Sequence, residues 1–165
     1  MTRSLLAVAD ANIWIDLDVG GLLEQAFGLG IQWLVPDVVL AELLAPASDG
    51  LVALGLESCE LPPEQITEVL ALGPRYPRVS TPDAFALIAA RSHSAMLVTG
   101  DKHLRKAAEE QGVTCHGMLW LLDTMVDQHV VTPPTAASAL RQMLDAGSRL
   151  PTDECATRLR RWRLA

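Results

Sequence analysis

Two short apolar runs in this chain each lead to an aspartate. Residues 5–8 (LLAV) lead to Asp10, and residues 95–99 (AMLVT) lead through Gly100 to Asp101. Both runs have the length and the continuous apolar character of strands buried on both faces of a parallel sheet. Because the carboxyl ends of parallel strands meet at one edge, the pattern predicts acidic side chains gathered at that edge.

Strand patterns alternate with helical patterns along the chain. Strands are predicted over residues 5–8, 31–35, 95–99 and 113–115, and the segment 51–61 fits either a short strand or irregular structure. Helical spacing covers residues 12–17, 22–27, 36–46, 63–71, 80–92, 102–111, 118–128, 133–146 and 152–162. This alternation predicts an α/β fold with a mostly parallel central sheet of four or five strands, helices on both faces and further helices at the C-terminus.

Composition limits the classes of function. The chain has 165 residues and a formal net charge of −7, which argues against broad electrostatic attraction to nucleic acid. Its three cysteines show no zinc-ligand spacing, and its four histidines form no metal-binding motif. The N-terminal apolar run is too short for a signal peptide, and no apolar stretch is long enough to span a bilayer, so a cytoplasmic protein is expected.

Four acidic residues lie near predicted strand ends or helix starts: Asp10, Glu42, Asp83 and Asp101. Like charges held close together repel and raise each other's pKa, and a divalent cation such as Mg²⁺ or Mn²⁺ relieves that repulsion. A metal held in this way suits chemistry on phosphate esters. Each acid also has a structural interpretation, as a helix cap, a solvated helix residue or a favourable charge in a first helical turn.

The motifs that contain these acids, residues 7–12, 36–44, 83–90 and 97–101, together resemble a PIN domain, the family that includes the VapC-like toxins. The resemblance covers roughly residues 5–125. It implies a three-layer PIN-like nuclease domain over residues 1–128, with residues 129–165 as a C-terminal helical extension packed on the same domain. It also implies a metal-dependent endoribonuclease using Mg²⁺ or Mn²⁺, the toxin of a toxin–antitoxin pair, with an RNA substrate, an antitoxin partner and a homodimeric state.

The resemblance assigns roles to individual residues. It makes Asp10, Glu42, Asp83 and Asp101 the catalytic, metal-binding quartet, with Asp10 and Asp101 as the direct ligands. Asn12 and Thr99 match supporting positions, whereas Ala11 replaces a hydroxyl residue often found after the first acid. The basic segment after Asp101 supplies candidate RNA contacts, namely Lys102, His103 and Arg105.

Two other functions remain open. A phosphatase with Asp10 as an aspartyl nucleophile would need an acid two residues later, where the chain has Asn12. A catalytically silent PIN-like module that binds RNA or protein fits the acidic composition and the missing hydroxyl at Ala11. The basic C-terminal segment 158–163 fits either RNA contact or docking of a helix through Leu159 and Trp162, and docking is the preferred interpretation.

Overall fold

The computed structural model describes residues 4–44 and 47–163, and short strands alternate with helices along this part of the chain. The strands are β1 (Leu5–Ala9), β2 (Ile31–Pro36), β3 (Glu57–Cys59), β4 (Met96–Val98) and β5 (Cys115–His116). The helices are α1 (Ala11–Val19), α2 (Leu23–Phe27), α3 (Asp37–Glu42), α4 (Ser48–Leu54), α5 (Pro63–Arg75), α6 (Thr81–Ser92), α7 (Lys102–Glu110), α8 (Met118–Asp127), α9 (Pro133–Asp145) and α10 (Thr152–Arg163).

The five strands form one all-parallel sheet in the order β3-β2-β1-β4-β5, which confirms the predicted α/β class. Strand β1 lies at the centre, where Val8 pairs with Leu34 of β2 on one side and with Leu97 of β4 on the other. A central strand is covered on both faces by helices, so its middle residues are all apolar rather than alternating with polar ones.

The strand order places a crevice at the carboxyl ends of β1 and β4. The chain runs from β1 outward to β2 and β3, and then returns to place β4 on the opposite side of β1. Where the order of an open parallel sheet reverses in this way, the connections diverge and leave room for a ligand. The backbone amide of Asp10 donates to the carbonyl of Val98 at 3.2 Å, which sets the ends of these two strands side by side.

Helices cover both faces of the sheet and give three layers. One apolar cluster joins β1 and β2 to α1, α8, α9 and α10, and in it the Trp14 ring meets the Trp33 ring edge-on with centroids 5.2 Å apart. The other cluster joins the sheet to α5, α6 and α7 through side chains such as Leu72, Leu87 and Leu104. The longer helices bury an apolar stripe in these clusters, as amphipathic helices of α/β folds do.

The two C-terminal helices contribute to the same core as α1 and α8. Met143 of α9 and Trp162 of α10 are both buried there. Arg158 and Arg161 each lie 2.7 Å from a carboxylate oxygen of Asp123 on α8. Trp162 is 1% exposed, as the docking interpretation requires. The proposed division of the chain at residue 128 stays a prediction.

Two helix ends differ from the prediction. Helix α5 was expected to stop at Gly73 and instead continues through Pro74 to Arg75. Pro74 lies in the last turn, where its missing N–H costs only one helical hydrogen bond. Helix α3 ends at Glu42, because Leu43 already has an extended backbone, and the predicted end at Pro46 lies outside the described residues.

The sequence places an apolar face on the helix after β2, formed by Val38, Val39, Leu40, Leu43 and Leu44, and this prediction is partly wrong. Val38 and Leu44 are 41% and 90% exposed, whereas Val39 and Leu43 are buried. A helix of six residues has too few turns to bury a continuous stripe, so only part of the apolar pattern reaches the core. The ambiguous segment 51–61 contains the end of α4 and the short edge strand β3.

Two further observations concern the cysteines and the length and apolar character of the helices. Cys59, Cys115 and Cys155 are free thiols, as the sequence predicts. Within residues 4–44 and 47–163, no helix combines the length and the apolar character that crossing a membrane requires.

Candidate active site

Asp10 lies at the carboxyl end of β1 and caps α1. Its backbone is extended, and its Oδ1 accepts a hydrogen bond of 3.0 Å from the amide of Ile13. The side chain is 3% exposed, which is unusual for a carboxylate without a cationic partner. The strand therefore delivers this acid to the crevice, and the helix that follows holds it there.

Thr99 connects Asp10 to the end of β4. Its hydroxyl donates to Oδ2 of Asp10 and accepts a hydrogen bond of 3.0 Å from the amide of Asp101. Thr99 is itself fully buried, and its amide donates to the carbonyl of His116 at 2.9 Å. The predicted supporting position is thus a buried bridge between the two strand-end acids.

Asp101 follows β4 and caps α7. Its Oδ1 accepts hydrogen bonds from the amides of His103 and Leu104, at 2.8 and 2.9 Å. Both bonds fall on the same oxygen, so Oδ2 has no donor among the described residues. This oxygen is available to a ligand while the other one anchors the side chain.

Asp83 lies in the first turn of α6, as the sequence predicts. The Ser80 side chain caps that helix by accepting a hydrogen bond of 3.2 Å from the amide of Asp83. Burial raises the pKa of the Asp83 carboxyl, and the negative charge of Asp101 raises it further. Asp83 and Asp101 are therefore close enough for each charge to act on the other.

The electrostatics of Asp10 link three of the four predicted acids. Burial raises the pKa of Asp10 from 3.8 to about 6, against the lowering effect of hydrogen bonds from Thr99 and Ile13. The charges of Asp83 and Asp101 also raise it. No ion pair found in the described part of the chain involves these three carboxylates. Among the residues that the structure describes, none of the three carboxylates thus has a cationic side chain within ion-pair distance.

Glu42 and Asn12 are both exposed. Glu42 is exposed at the last position of α3, and its charge is not among those that act on Asp10 or Asp83. Asn12 is exposed in the first turn of α1, close behind the Asp10 cap. The charges of Asp83 and Asp101 therefore act on Asp10, and the role of all four acids as a metal site stays a prediction.

The donor chemistry of the crevice fits a hard divalent cation. Carboxylate oxygens are the ligands that Mg²⁺ and Mn²⁺ prefer, and a cation would offset the burial, and to a lesser degree the repulsion from Asp83 and Asp101, that raise the pKa of Asp10. Across residues 4–44 and 47–163, no group of three or more histidine, cysteine, aspartate or glutamate side chains is already arranged to hold a metal ion. Binding a cation therefore requires the carboxylates to turn toward a common point or to bind through water.

A cleft of about 440 Å³ lies beside Asp101. Asn12 and Asp101 line it on one side, and the connector between α9 and α10 lines it on the other, with Ser148 and Arg149. The Ser148 hydroxyl donates to a carboxylate oxygen of Asp16 at 2.9 Å and so attaches the connector to α1. No sequence motif marks Ser148 or Arg149 as site residues, although their place between the Gly147 helix stop and the last helix indicates a connector.

The three predicted RNA contacts have different surroundings. Lys102 is exposed, and His103 is half-buried and lines a second cavity beside α7. The guanidinium of Arg105 donates to the carbonyl of Thr99 at 3.4 Å and would crowd a side chain at Gly117. Arg105 therefore packs on the loop behind Thr99, and its role toward RNA stays a prediction.

Comparison with known proteins is consistent with this fold. The structure resembles a PilT N-terminus domain protein, SSO1118, from the archaeon Sulfolobus solfataricus, with a TM-score of 0.55 and 16% identity over 74% of this chain and 94% of that one. It also resembles PAE2754 from Pyrobaculum aerophilum, with a TM-score of 0.55 and 17% identity over 76% of this chain and 92% of that one. At these identities the likeness concerns the fold alone. No curated protein matches the sequence.

A family model described as a PIN domain (DUF3368) matches residues 6–163, which include both strand-end acids, the α6 acid and the two C-terminal helices. The match spans nearly the whole chain and agrees with the resemblance seen in the sequence motifs. The chain therefore belongs to the PIN-domain family.

Proposed function

We propose that this protein is a metal-dependent endoribonuclease. The observation that carries the proposal is that Asp10 and Asp101 cap helices just after the adjacent strands β1 and β4, where the charges of Asp83 and Asp101 act on the buried Asp10 carboxyl. PIN domains are commonly nucleases, and an uncompensated group of acids beside a cleft is the arrangement that phosphodiester hydrolysis with a bound cation uses.

The residues would have different roles in metal binding, according to how each side chain is held. Asp10 and Asp101 are held by helix-capping hydrogen bonds, so they are suited to bind Mg²⁺ or Mn²⁺ directly. Asp83 adds charge from α6, and Glu42 would act through water or at a second position. A cation bound there would lower the pKa of a coordinated water and stabilise the charge on the phosphate.

The reaction we propose is hydrolysis of a phosphodiester bond. The oxygen of a water attacks the phosphorus in line, the bond from phosphorus to the 3′-oxygen breaks, and a proton passes to that leaving oxygen. The products are a 5′-phosphate and a 3′-hydroxyl. Thr99 keeps Asp10 and the start of α7 in fixed relative positions, which is the positioning on which such a displacement depends.

Cleavage of a panel of labelled RNAs tests this proposal. We expect cleavage with Mg²⁺ or Mn²⁺, none with excess chelator, and a loss of at least 100-fold in Asp10→Asn and Asp101→Asn. Asp127→Asn provides a matched control, because Asp127 is exposed at the far end of α8. Cleavage that persists in the chelator, or in Asp10→Asn, would refute the assignment.

We extend the proposal to the biological role of a toxin with an antitoxin partner and a homodimeric state. The support for this extension is the resemblance of the sequence motifs to VapC-like toxins. Expression of the wild-type chain should arrest bacterial growth and expression of Asp10→Asn should not. Sedimentation should give twice the monomer mass. Normal growth would count against the toxin role, and a monomer at high concentration would count against the homodimer.

One observation favours a second function, a catalytically silent module that binds RNA or protein. Within the part of the chain that the structure describes, no group of three metal-capable side chains is prearranged. A silent module would bind RNA equally well in wild type and in Asp10→Asn and would show no cleavage with any divalent cation. The cleavage panel, repeated as a binding assay, separates the two functions.

A further inference from the structure

A second cavity, of about 430 Å³, lies between α7 and the segment that precedes α6, and most of its charged lining residues are cationic. Its lining includes Arg75, Arg78, His103 and Lys106, together with Tyr76 and Glu110. Arg75, Arg78 and Lys106 are all exposed. In a chain with a net charge of −7, this concentration of cationic side chains around one concave surface is a local reversal of sign.

We call this cavity the basic groove. Its cationic side chains form no ion pairs among the described residues. The ion pairs found within residues 4–44 and 47–163 use Arg91, Arg158 and Arg161 and none of the groove cations. The one carboxylate in the lining, Glu110, accepts a hydrogen bond from the Tyr76 hydroxyl. The groove therefore presents unpaired positive charge to an anionic ligand.

Both walls of the groove lead directly to the acids. His103, Lys106 and Glu110 lie on one face of α7, at helical spacings of three and four, and α7 begins at its Asp101 cap. The opposite wall, residues 75–79, runs into the Ser80 cap of α6 and so to Asp83. A ligand in the groove would thus contact α7, which begins after Asp101, and the segment that leads into the first turn of α6 with Asp83.

The groove also contains an aromatic surface. The Arg75 guanidinium lies 5.3 Å from the centre of the Tyr76 ring, so a planar cation and a ring lie together in the lining. Arginine and aromatic faces stack with unpaired nucleobases, whereas separated cations follow a phosphate backbone. A concave surface with both features suits a single strand, whose bases are free to stack, better than a duplex.

We propose that the basic groove binds the phosphate backbone of single-stranded RNA next to the acidic crevice. Arg78 and Lys106 contact phosphates, and Arg75 with Tyr76 offers a surface for a base. The inference rests on the proposed nuclease function and extends it, because it assigns substrate binding to residues other than the four acids. It also explains how an acidic protein could bind RNA, since the positive charge is local.

Binding without catalysis tests the groove. The assay is fluorescence anisotropy of a 5′-labelled, unstructured RNA oligonucleotide with the full chain carrying Asp10→Asn, in chelator and over a range of salt concentrations. Adding Arg78→Gln and Lys106→Gln should weaken affinity at least tenfold. It should also make the slope of log K against log salt shallower by about 1.4, from roughly 0.7 for each lost phosphate contact on a single strand.

The matched control removes the same charge elsewhere. Arg160 and Arg163 are exposed near the C-terminal end of α10, so Arg160→Gln with Arg163→Gln should leave both affinity and slope unchanged. Thermal melts of both double variants should match their parent, because all four side chains are exposed. Loss of affinity in the control but not in the groove variant would overturn the proposal, and so would equal loss in both.

Two further outcomes separate the groove from the nuclease proposal. If wild type cleaves no RNA but the groove variant still loses binding, the groove stands and the catalytic assignment falls. If polyglutamate of matched charge competes as well as the RNA does, the groove is a general acidic-ligand site and the RNA assignment is overturned. With active wild type, the groove substitutions should raise KM by about tenfold and leave kcat nearly unchanged.

Discussion

The hydroxyl of Thr99 donates a hydrogen bond to the carboxylate of Asp10. The two residues are 89 positions apart and both are buried. Because the same hydroxyl accepts from the amide of Asp101, one side chain sets the relative position of the two strand-end acids. Removing the Thr99 hydroxyl should therefore affect both the Asp10 carboxylate and the backbone at Asp101.

Replacing Thr99 with valine tests this bridge. Valine keeps the shape but cannot donate to Asp10, and the lost hydrogen bond would raise the pKa of Asp10 above its value of about 6. We expect the acidic limb of the pH–rate profile to move to higher pH, with activity at pH 6 reduced roughly tenfold. Thr99→Ser retains the hydroxyl and should keep the wild-type profile, and an unshifted profile in Thr99→Val would contradict the bridging role.

The raised pKa of Asp10 also predicts how stability depends on pH. Asp10 titrates near 3.8 in the unfolded chain and near 6 in the fold, so the folded state binds the proton more tightly. Below about pH 4 both states are protonated, whereas above about pH 6 both are ionised and the folded state carries the full cost of the buried charge. The wild type should therefore lose stability relative to Asp10→Asn as the pH rises from 4 to 6.

Denaturant unfolding in chelator measures that difference. Asn caps a helix as well as Asp does, so Asp10→Asn keeps the start of α1 and removes only the charge. We expect the variant to be more stable than wild type by on the order of 2–3 kcal/mol at pH 8 and to match it at pH 4. If Asp10→Asn were less stable than wild type at pH 8, the buried Asp10 carboxylate would not be destabilising the folded state.

Glu42 is the member of the predicted quartet whose charge is not among those that act on Asp10 or Asp83. Asp83 acts electrostatically on Asp10 and is itself affected by Asp101, whereas Glu42 is exposed and separate from them. Titration calorimetry with Mn²⁺ should show at least a tenfold loss of affinity in Asp83→Asn and a smaller loss in Glu42→Gln. The reverse order would mean that α3 moves toward the crevice when metal binds.

The sequence predicted the sheet and the two strand-end acids because their signals are local. The continuous apolar run before Asp10 and the Thr99-Gly100-Asp101 turn depend on neighbouring residues alone. The hydrogen bond from Thr99 to Asp10 and the link between Ser148 and Asp16 join segments far apart in the chain, so no spacing rule indicates them. The end of α3 was missed because tertiary contacts, rather than the apolar pattern, decide where that short helix stops.

The basic groove was missed for a similar reason. Residues 75–79 looked like a connector, and only the fold places Arg75 and Arg78 opposite the face of α7 that carries His103 and Lys106. Helical spacing in α7 could have shown that His103 and Lys106 share a face, but not what lies across from them.

The C-terminal helix should be essential for stability. Trp162 lies in the same core as β1 and α1, so Trp162→Ala removes a large buried side chain and should cost about 3–5 kcal/mol. Arg163→Ala, at the exposed neighbouring position, should change stability by less than about 0.5 kcal/mol. Urea unfolding of both variants gives the comparison, and a small effect of Trp162→Ala would mean that α10 is only loosely attached.

The most direct test of the central claim is the anomalous diffraction of manganese from crystals soaked in Mn²⁺. The account predicts a peak in the crevice at the carboxyl ends of β1 and β4, within coordination distance of Asp10 and Asp101 or joined to them through water, and absent from crystals of Asp10→Asn. A well-ordered crevice without a peak at high Mn²⁺, or a peak only at a distant surface, would contradict it.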